Sequence, residues 1–140
     1  LASLGGKILR LNADGSIPAD NPFVNTPDAR PEIFSYGHRY TLGMTVHPTT
    51  GEIWQSENGP NGGDEVNVLS SGANYGWPEV SYGRTYSGPW HSETPRHDGY
   101  PVPLVYWVPS VAVSGLTFIP TTNYQNGPAI CSLAHCAKAR

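Results

Sequence analysis

An all-β domain is the fold class this sequence predicts, on three observations. Short apolar or alternating runs recur along the chain. Asp-Gly, Pro-Thr-Thr-Gly and Gly-Pro turns separate them, and no run has a convincing helical period. The 16 glycines and 14 prolines among 140 residues exceed ordinary usage. An aromatic content of 11 % argues that this bias belongs to turns, not to a disordered chain. Only 14 % of residues are charged and the net charge is −3, so no basic excess favours nucleic acid. No stretch approaches the roughly 18–20 apolar residues that span a bilayer. No signal peptide is visible, and a strand-like run begins almost at Leu1, so the chain reads as an excised piece.

The elements follow in order. Lys7–Leu11 is a strand, closed by the turn signal Asn12-Ala13-Asp14-Gly15. Residues 18–32 carry four prolines and read as an extended connection. Met44–His47 and Glu52–Ser56, joined through Pro48-Thr49-Thr50-Gly51, read as a hairpin. Glu65–Leu69 alternates, with Val66 and Val68 on one face. Residues 81–101 form a long Tyr, Gly, Ser, Pro and His-rich loop, a length that is often functional. Val102–Val108, Leu116–Ile119 and Ala129–Ala134 are further strands. If the last run is a strand, Cys131 and Cys136 face opposite ways and cannot bridge.

One segment recurs. Gly43-Met44-Thr45-Val46-His47-Pro48-Thr49-Thr50 returns as Gly115-Leu116-Thr117-Phe118-Ile119-Pro120-Thr121-Thr122, identical at five of eight positions and offset by 72. Repeated four-stranded units mark β-propellers. Chance similarity of Thr/Pro-rich turns is the other reading. As blade equivalents, the copies imply two to three blades over residues 1–140, an incomplete ring with unpaired edges.

Four turns carry the chemistry. Gly37-His38-Arg39 sets a guanidinium on a tight turn, where its paired donors suit a carboxylate or a quinone oxygen. The plain alternative is an arginine paired with a nearby acid. Glu57-Asn58-Gly59-Pro60-Asn61-Gly62-Gly63-Asp64-Glu65 can turn carbonyl oxygens toward a hard cation. By spacing alone it reads sooner as a Gly-rich surface turn with solvated acids. In Asn74-Tyr75-Gly76-Trp77-Pro78 the tryptophan reads as a core aromatic. Tyr106-Trp107-Val108-Pro109-Ser110 suits stacking on a flat ring or a sugar, and suits a core equally. The five histidines fit no zinc spacing, and no phosphate loop, nucleophile elbow or CxxC is present.

Taken in order, these segments resemble the soluble quinoprotein sugar dehydrogenases, the PQQ-dependent aldose, glucose and sorbosone dehydrogenase family. "GGKILRLNADGSIPADNPF", "SYGHRYTLG", "SENGPNGGDEVNVLSSGANYGWP" and "YWVPSVAVSG" carry the resemblance over most of the chain. It implies part of a six-bladed β-propeller that binds pyrroloquinoline quinone (PQQ) with calcium. By motif position it implies that Arg39 and Tyr40 meet the quinone, with Pro109 and Ser110 at its rim. It assigns calcium to the carbonyls of Gly59 and Pro60, and a second, structural calcium to Glu65 and Tyr75.

The implied activity is oxidation of an aldose at C1 to a lactone, with an external electron acceptor and a periplasmic or secreted location. Tyr40 and Leu42 stand where the family has Asn and Gln, Val108 replaces an acid, and Ala134 falls where some members have lysine. No counterpart of the family's catalytic histidine is found, so the base is expected upstream and the fragment alone is expected to be inactive. A non-catalytic propeller module with a degenerate cofactor site is the alternative. A calcium-stapled structural domain is a third reading.

Overall fold

Alternating runs and turn chemistry resolve into three antiparallel sheets. The computed structural model describes residues 1–88, 99–119 and the backbone of 129–132. Eight strands lie within them: β1 Lys7–Leu9, β2 Ile33–Tyr36, β3 Thr41–Val46, β4 Ile53–Glu57, β5 Asp64–Leu69, β6 Val105–Trp107, β7 Leu116–Ile119 and β8 Ala129–Ser132. Strands β3-β4-β5-β6 form one four-stranded sheet, flanked by the pairs β1-β2 and β7-β8. The chain is thus all-β and part of a β-propeller, with one full blade between portions of its neighbours.

The repeat at Gly43 and Gly115 falls on β3 and on the start of β7, the first strands of successive sheets. These strands pack together, and a Cβ on Gly43 would run into the Ser114 carbonyl and the Leu116 nitrogen. Trp54 and Phe118 cross edge to face at 5.2 Å, and His47 meets Phe118 at 4.7 Å, closing the same seam with aromatic surface.

Most strands sit where the sequence places them, with shifted ends. β1 and β6 are shorter than their apolar runs, and β3 starts earlier, at Thr41. The missed element is β2, whose Ile33 and Ser35 are both fully buried. The hairpin turn is as expected: His47 N–H donates to Glu52 O at 2.8 Å and Gly51 N–H to His47 O at 3.0 Å. The connection over residues 18–32 is not extended but a succession of turns, with Asn21 N–H donating to Pro18 O, Val24 N–H to Asn21 O and Thr26 N–H to Phe23 O. Buried Asn21 ties it down by donating Nδ2 to the carbonyls of Arg10 and Pro31. Leu133, Ala134 and Cys136 lie outside the described residues, as do His91, His97 and His135.

The middle strands β4 and β5 are buried or half-buried on both faces, while Met44 and Val46 of β3 and Val105 and Tyr106 of β6 are exposed. Trp54, Ser56, Val66 and Val68 share one face; Ile53, Gln55, Glu57, Glu65, Asn67 and Leu69 share the other. On the second face an apolar cluster of Ile8, Leu69 and Tyr75, with Phe34, Ile53 and Ala73, joins the sheet to β1-β2. Burying Ile8 or Leu69 contributes about 1.5–3 kcal/mol each. Toward the β4 end the same face turns polar. Ser35 Oγ lies 2.9 Å from His38 Nε2, and His38 Nδ1 lies 3.0 Å from Glu57 Oε2. Gln55 donates to Glu57 at 2.7 Å, and Asn67 donates to Gln55 at 3.2 Å.

Two motifs far apart in sequence lock at Gly37. Tyr75 N–H donates to Tyr36 O at 2.8 Å and Trp77 N–H to Gly37 O at 2.9 Å. Gly37 has φ +76°, and a Cβ there would strike Asn74 Oδ1 and the nitrogens of Tyr75 and Gly76. We expect Gly37→Ala to destabilise the protein by about 2 kcal/mol or more, read as a lower urea midpoint at unchanged m-value.

Candidate functional site

Antiparallel register gathers the site. Thr41 pairs with Glu57, Glu57 with Glu65, and Asp64 with Trp107. The start of β3, the end of β4, the start of β5 and the end of β6 therefore share one end of the sheet. A cleft of about 540 Å³ opens there, lined by Arg39, Tyr40, Asn58, Gly59, Pro60, Tyr86 and Ser110. Its size suits a small-molecule ligand.

Arg39 forms one wall. Its Nη1 donates to the Asn58 carbonyl at 2.9 Å and its Nη2 to Tyr86 Oη at 2.8 Å. Its guanidinium carbon lies 5.4 Å from the Trp77 ring centre and 5.7 Å from that of Tyr86. Such cation–π contacts hold a guanidinium flat against aromatic faces. Among the described residues the Arg39 side chain pairs with no acid: its partners are a carbonyl, a phenol and two rings. Trp77, read as a core aromatic, is half-buried and faces this cation.

The opposite wall rests on Asp64. Its side chain is fully buried. Oδ1 accepts the Gly59 N–H at 3.1 Å. Oδ2 accepts Ser110 Oγ–H at 2.6 Å, Val111 N–H at 2.9 Å and Ala112 N–H at 2.8 Å. The reading of a surface turn with solvated acids fails here, because Asp64 and Glu57 are both buried. Ala112 has φ +53°, a left-handed conformation that a non-glycine holds at a cost of about 1–3 kcal/mol. Its N–H is one of the Asp64 donors. In the β4–β5 loop, a side chain on Gly59 would collide with the backbone of Gly62 and Gly63.

A family model described as Glucose / Sorbosone dehydrogenase matches residues 1–136. The chain belongs to that family. It is 45 % identical over 123 residues to aldose sugar dehydrogenase YliI of Escherichia coli, covering 84 % of this chain and 32 % of that protein. The crystal structure of the soluble aldose sugar dehydrogenase from Escherichia coli in the apo-form superposes with a TM-score of 0.85. Identity there is 40 %, over 96 % of this chain and 40 % of that one. The PQQ-bound aldose sugar dehydrogenase of Streptomyces coelicolor matches with a TM-score of 0.62 and 33 % identity. That match covers 81 % of this chain and 29 % of that one. The chain spans well under half the length of these relatives.

The glucose/sorbosone dehydrogenase motifs divide in two. Arg39, Tyr40, Gly59, Pro60 and Ser110 line one cleft. Pro109 adjoins Ser110 and follows Val108 through a cis peptide bond. Glu65 and Tyr75 belong instead to the buried face. The Tyr75 hydroxyl donates to Val68 O at 2.6 Å and accepts the Ser70 N–H at 2.9 Å, so the side chain is committed to the fold. Tyr106 stacks on Tyr82 at 3.9 Å, and neither it nor Trp107 lines the cleft. Sequence reading missed Asn58, Tyr86 and Asp64. Asp64 had a signal, since an acid after Gly-Gly at a strand start is placed to cap loop N–H groups. Tyr86 had none beyond its long loop.

Glu65 stands directly across from Glu57 and accepts a long 3.3 Å bond from Asn67. Burial, reinforced by the nearby Glu57 charge, pushes its carboxyl up to about 8. A carboxyl raised in the folded state stabilises while protonated. Its contribution is fully present below the ordinary glutamate range and is lost as pH rises through about 8. We expect the metal-free protein to lose melting temperature across that window, and Glu65→Gln to flatten the dependence.

Proposed function

We propose that this chain forms the cofactor-binding side of a PQQ-dependent aldose dehydrogenase. The whole protein would oxidise a sugar at C1 to a lactone and pass electrons to an external acceptor, in the periplasm or outside the cell. The observation that carries this reading is the convergence of Arg39, Gly59, Pro60 and Ser110 on one cleft. A flat quinone bearing carboxylates fits the lining, which offers a guanidinium and the ring of exposed Tyr86 and, among the described residues, holds no acidic side chain.

Calcium fits through oxygen donors. Among the described residues no group of three or more His, Cys, Asp or Glu side chains converges as a metal site. A hard cation would rest chiefly on carbonyls, here those of Gly59 and Pro60. Asn58 Oδ1, next in sequence, is buried without a hydrogen-bond partner among the described residues. A second cation at Glu65 and the Tyr75 main chain would relieve the acid pair, and Asn67 Oδ1 is likewise unpartnered. When bound, PQQ supplies the electron acceptor and calcium a Lewis acid. Arg39 would hold positive charge where the acceptor gains electrons, with Tyr86 Oη accepting its Nη2 N–H and so fixing its direction. Among the described residues the cleft lining contains no His, Asp or Glu, and by the family resemblance the base that takes the C1 hydroxyl proton would come from outside this chain.

A second reading has its own observation: Tyr40, 59 % exposed, occupies a polar family position on the cleft wall. A PQQ-free binding module would keep the cleft and lose the cofactor. Calorimetry with the full-length protein, PQQ and calcium separates the two. The enzyme reading expects PQQ binding that weakens about 10- to 100-fold in Arg39→Ala, and aldose-dependent dye reduction. Absence of both in the wild-type protein selects the module. Calcium removal by EDTA is expected to lower the melting temperature, with recovery on adding excess calcium.

A further inference from the structure

We propose that Asp64 is the positioning residue that sets the Arg39 guanidinium and the Ser110 turn at their working separation. Asp64 is absent from the cleft lining, yet it bonds to both sides of it. Its link to Arg39 runs through a single peptide group. The N–H and C=O of a trans peptide point in opposite directions. In the Asn58–Gly59 peptide, the Gly59 N–H donates to Asp64 Oδ1 at 3.1 Å. The Asn58 C=O of the same peptide accepts Arg39 Nη1 at 2.9 Å. A carboxylate that takes the N–H therefore turns the carbonyl outward and fixes where the guanidinium sits.

The other oxygen acts on the far wall. Oδ2 takes Ser110 Oγ–H, Val111 N–H and Ala112 N–H together. The Ser110 hydroxyl proton is thereby committed to Asp64, while its oxygen accepts the Ala112 N–H at 3.1 Å, so toward the cleft Ser110 can act only as an acceptor. Three donors in consecutive residues hold the turn in the left-handed step at Ala112. The Ser110 turn lies 46 to 48 residues beyond Asp64 in sequence and Gly59 only 5 before it, and this one side chain bonds to both.

The inference rests on the cofactor reading above, and the test keeps the two apart. In the full-length protein with calcium, PQQ affinity is measured by calorimetry below the melting temperature. The proteins are wild type, Asp64→Asn, Arg39→Lys and the double variant. Asp64→Asn keeps the shape but faces amide hydrogens toward N–H donors. PQQ affinity is expected to fall about 10- to 100-fold, the range found when a group that orients a ligand-binding residue is lost. The double variant is expected to lose less than the product of the single losses, since Asp64 acts through Arg39. A merely structural Asp64 would lower the melting temperature, leave the affinity of the folded protein unchanged and give additive losses; either affinity result overturns the proposal. If Asp64→Asn does not fold, the cycle is run with Ser110→Ala, at an exposed site. There, additive losses overturn it and coupling supports it. A wild-type protein that binds no PQQ overturns the cofactor reading, and this proposal with it.

Discussion

Four donors converge on the buried carboxylate of Asp64, and the site end of the molecule depends on that convergence. A carboxylate cut off from water is costly unless its lone pairs are met. Here they are met by donors from two separate segments, so neither segment can relax without leaving a buried acceptor short. The loop between β4 and β5 is rich in glycine and would otherwise be the freest part of the chain. Gly63 N–H adds a 2.7 Å bond to Trp107 O, which ties the same loop to the outer strand. A flexible sequence thus becomes a rigid wall by external bonding.

The polar interior next to this wall works differently. Ser35, His38 and Glu57 are ordered as in a hydrolytic triad, and their spacings of 2.9 and 3.0 Å would serve one. Burial decides against that use. Ser35 is wholly buried and His38 only 2 % exposed. The His38 ring also stacks on Tyr75 at 4.7 Å, which leaves no approach for a substrate. The network sets the register between β1-β2 and the central sheet, because each member has a partner only in this alignment. Glu57 also accepts the backbone N–H of Arg39 at 3.4 Å, so the structural network ends at the base of the functional residue.

Strand positions were legible because alternation and turn residues are local signals. Asp-Gly at Gly15 and the Gly51 turn appear as read, both with positive φ. Strand β2 was missed because Ile-Phe-Ser-Tyr is short and follows a proline-rich connection that obscures its start. The cleft residues were legible through motif order, which reports common ancestry and not geometry. What stayed hidden was pairing across distance. Nothing local says that Asp64 reaches Ser110, that Tyr86 meets Arg39, or that Trp77 is a cation's neighbour and not core. Those contacts arise from register and from the close approach at Gly37.

The cleft is not the property of any one sheet. Arg39 lies on the link from the β1-β2 pair into the central sheet, and Ser110 on the link from that sheet toward β7. An isolated blade would present only half of this surface. Whatever occupies the cleft consequently acts as a clasp over the joints between neighbouring blades. Its free energy of association adds to the resistance of those joints to parting, by mass action.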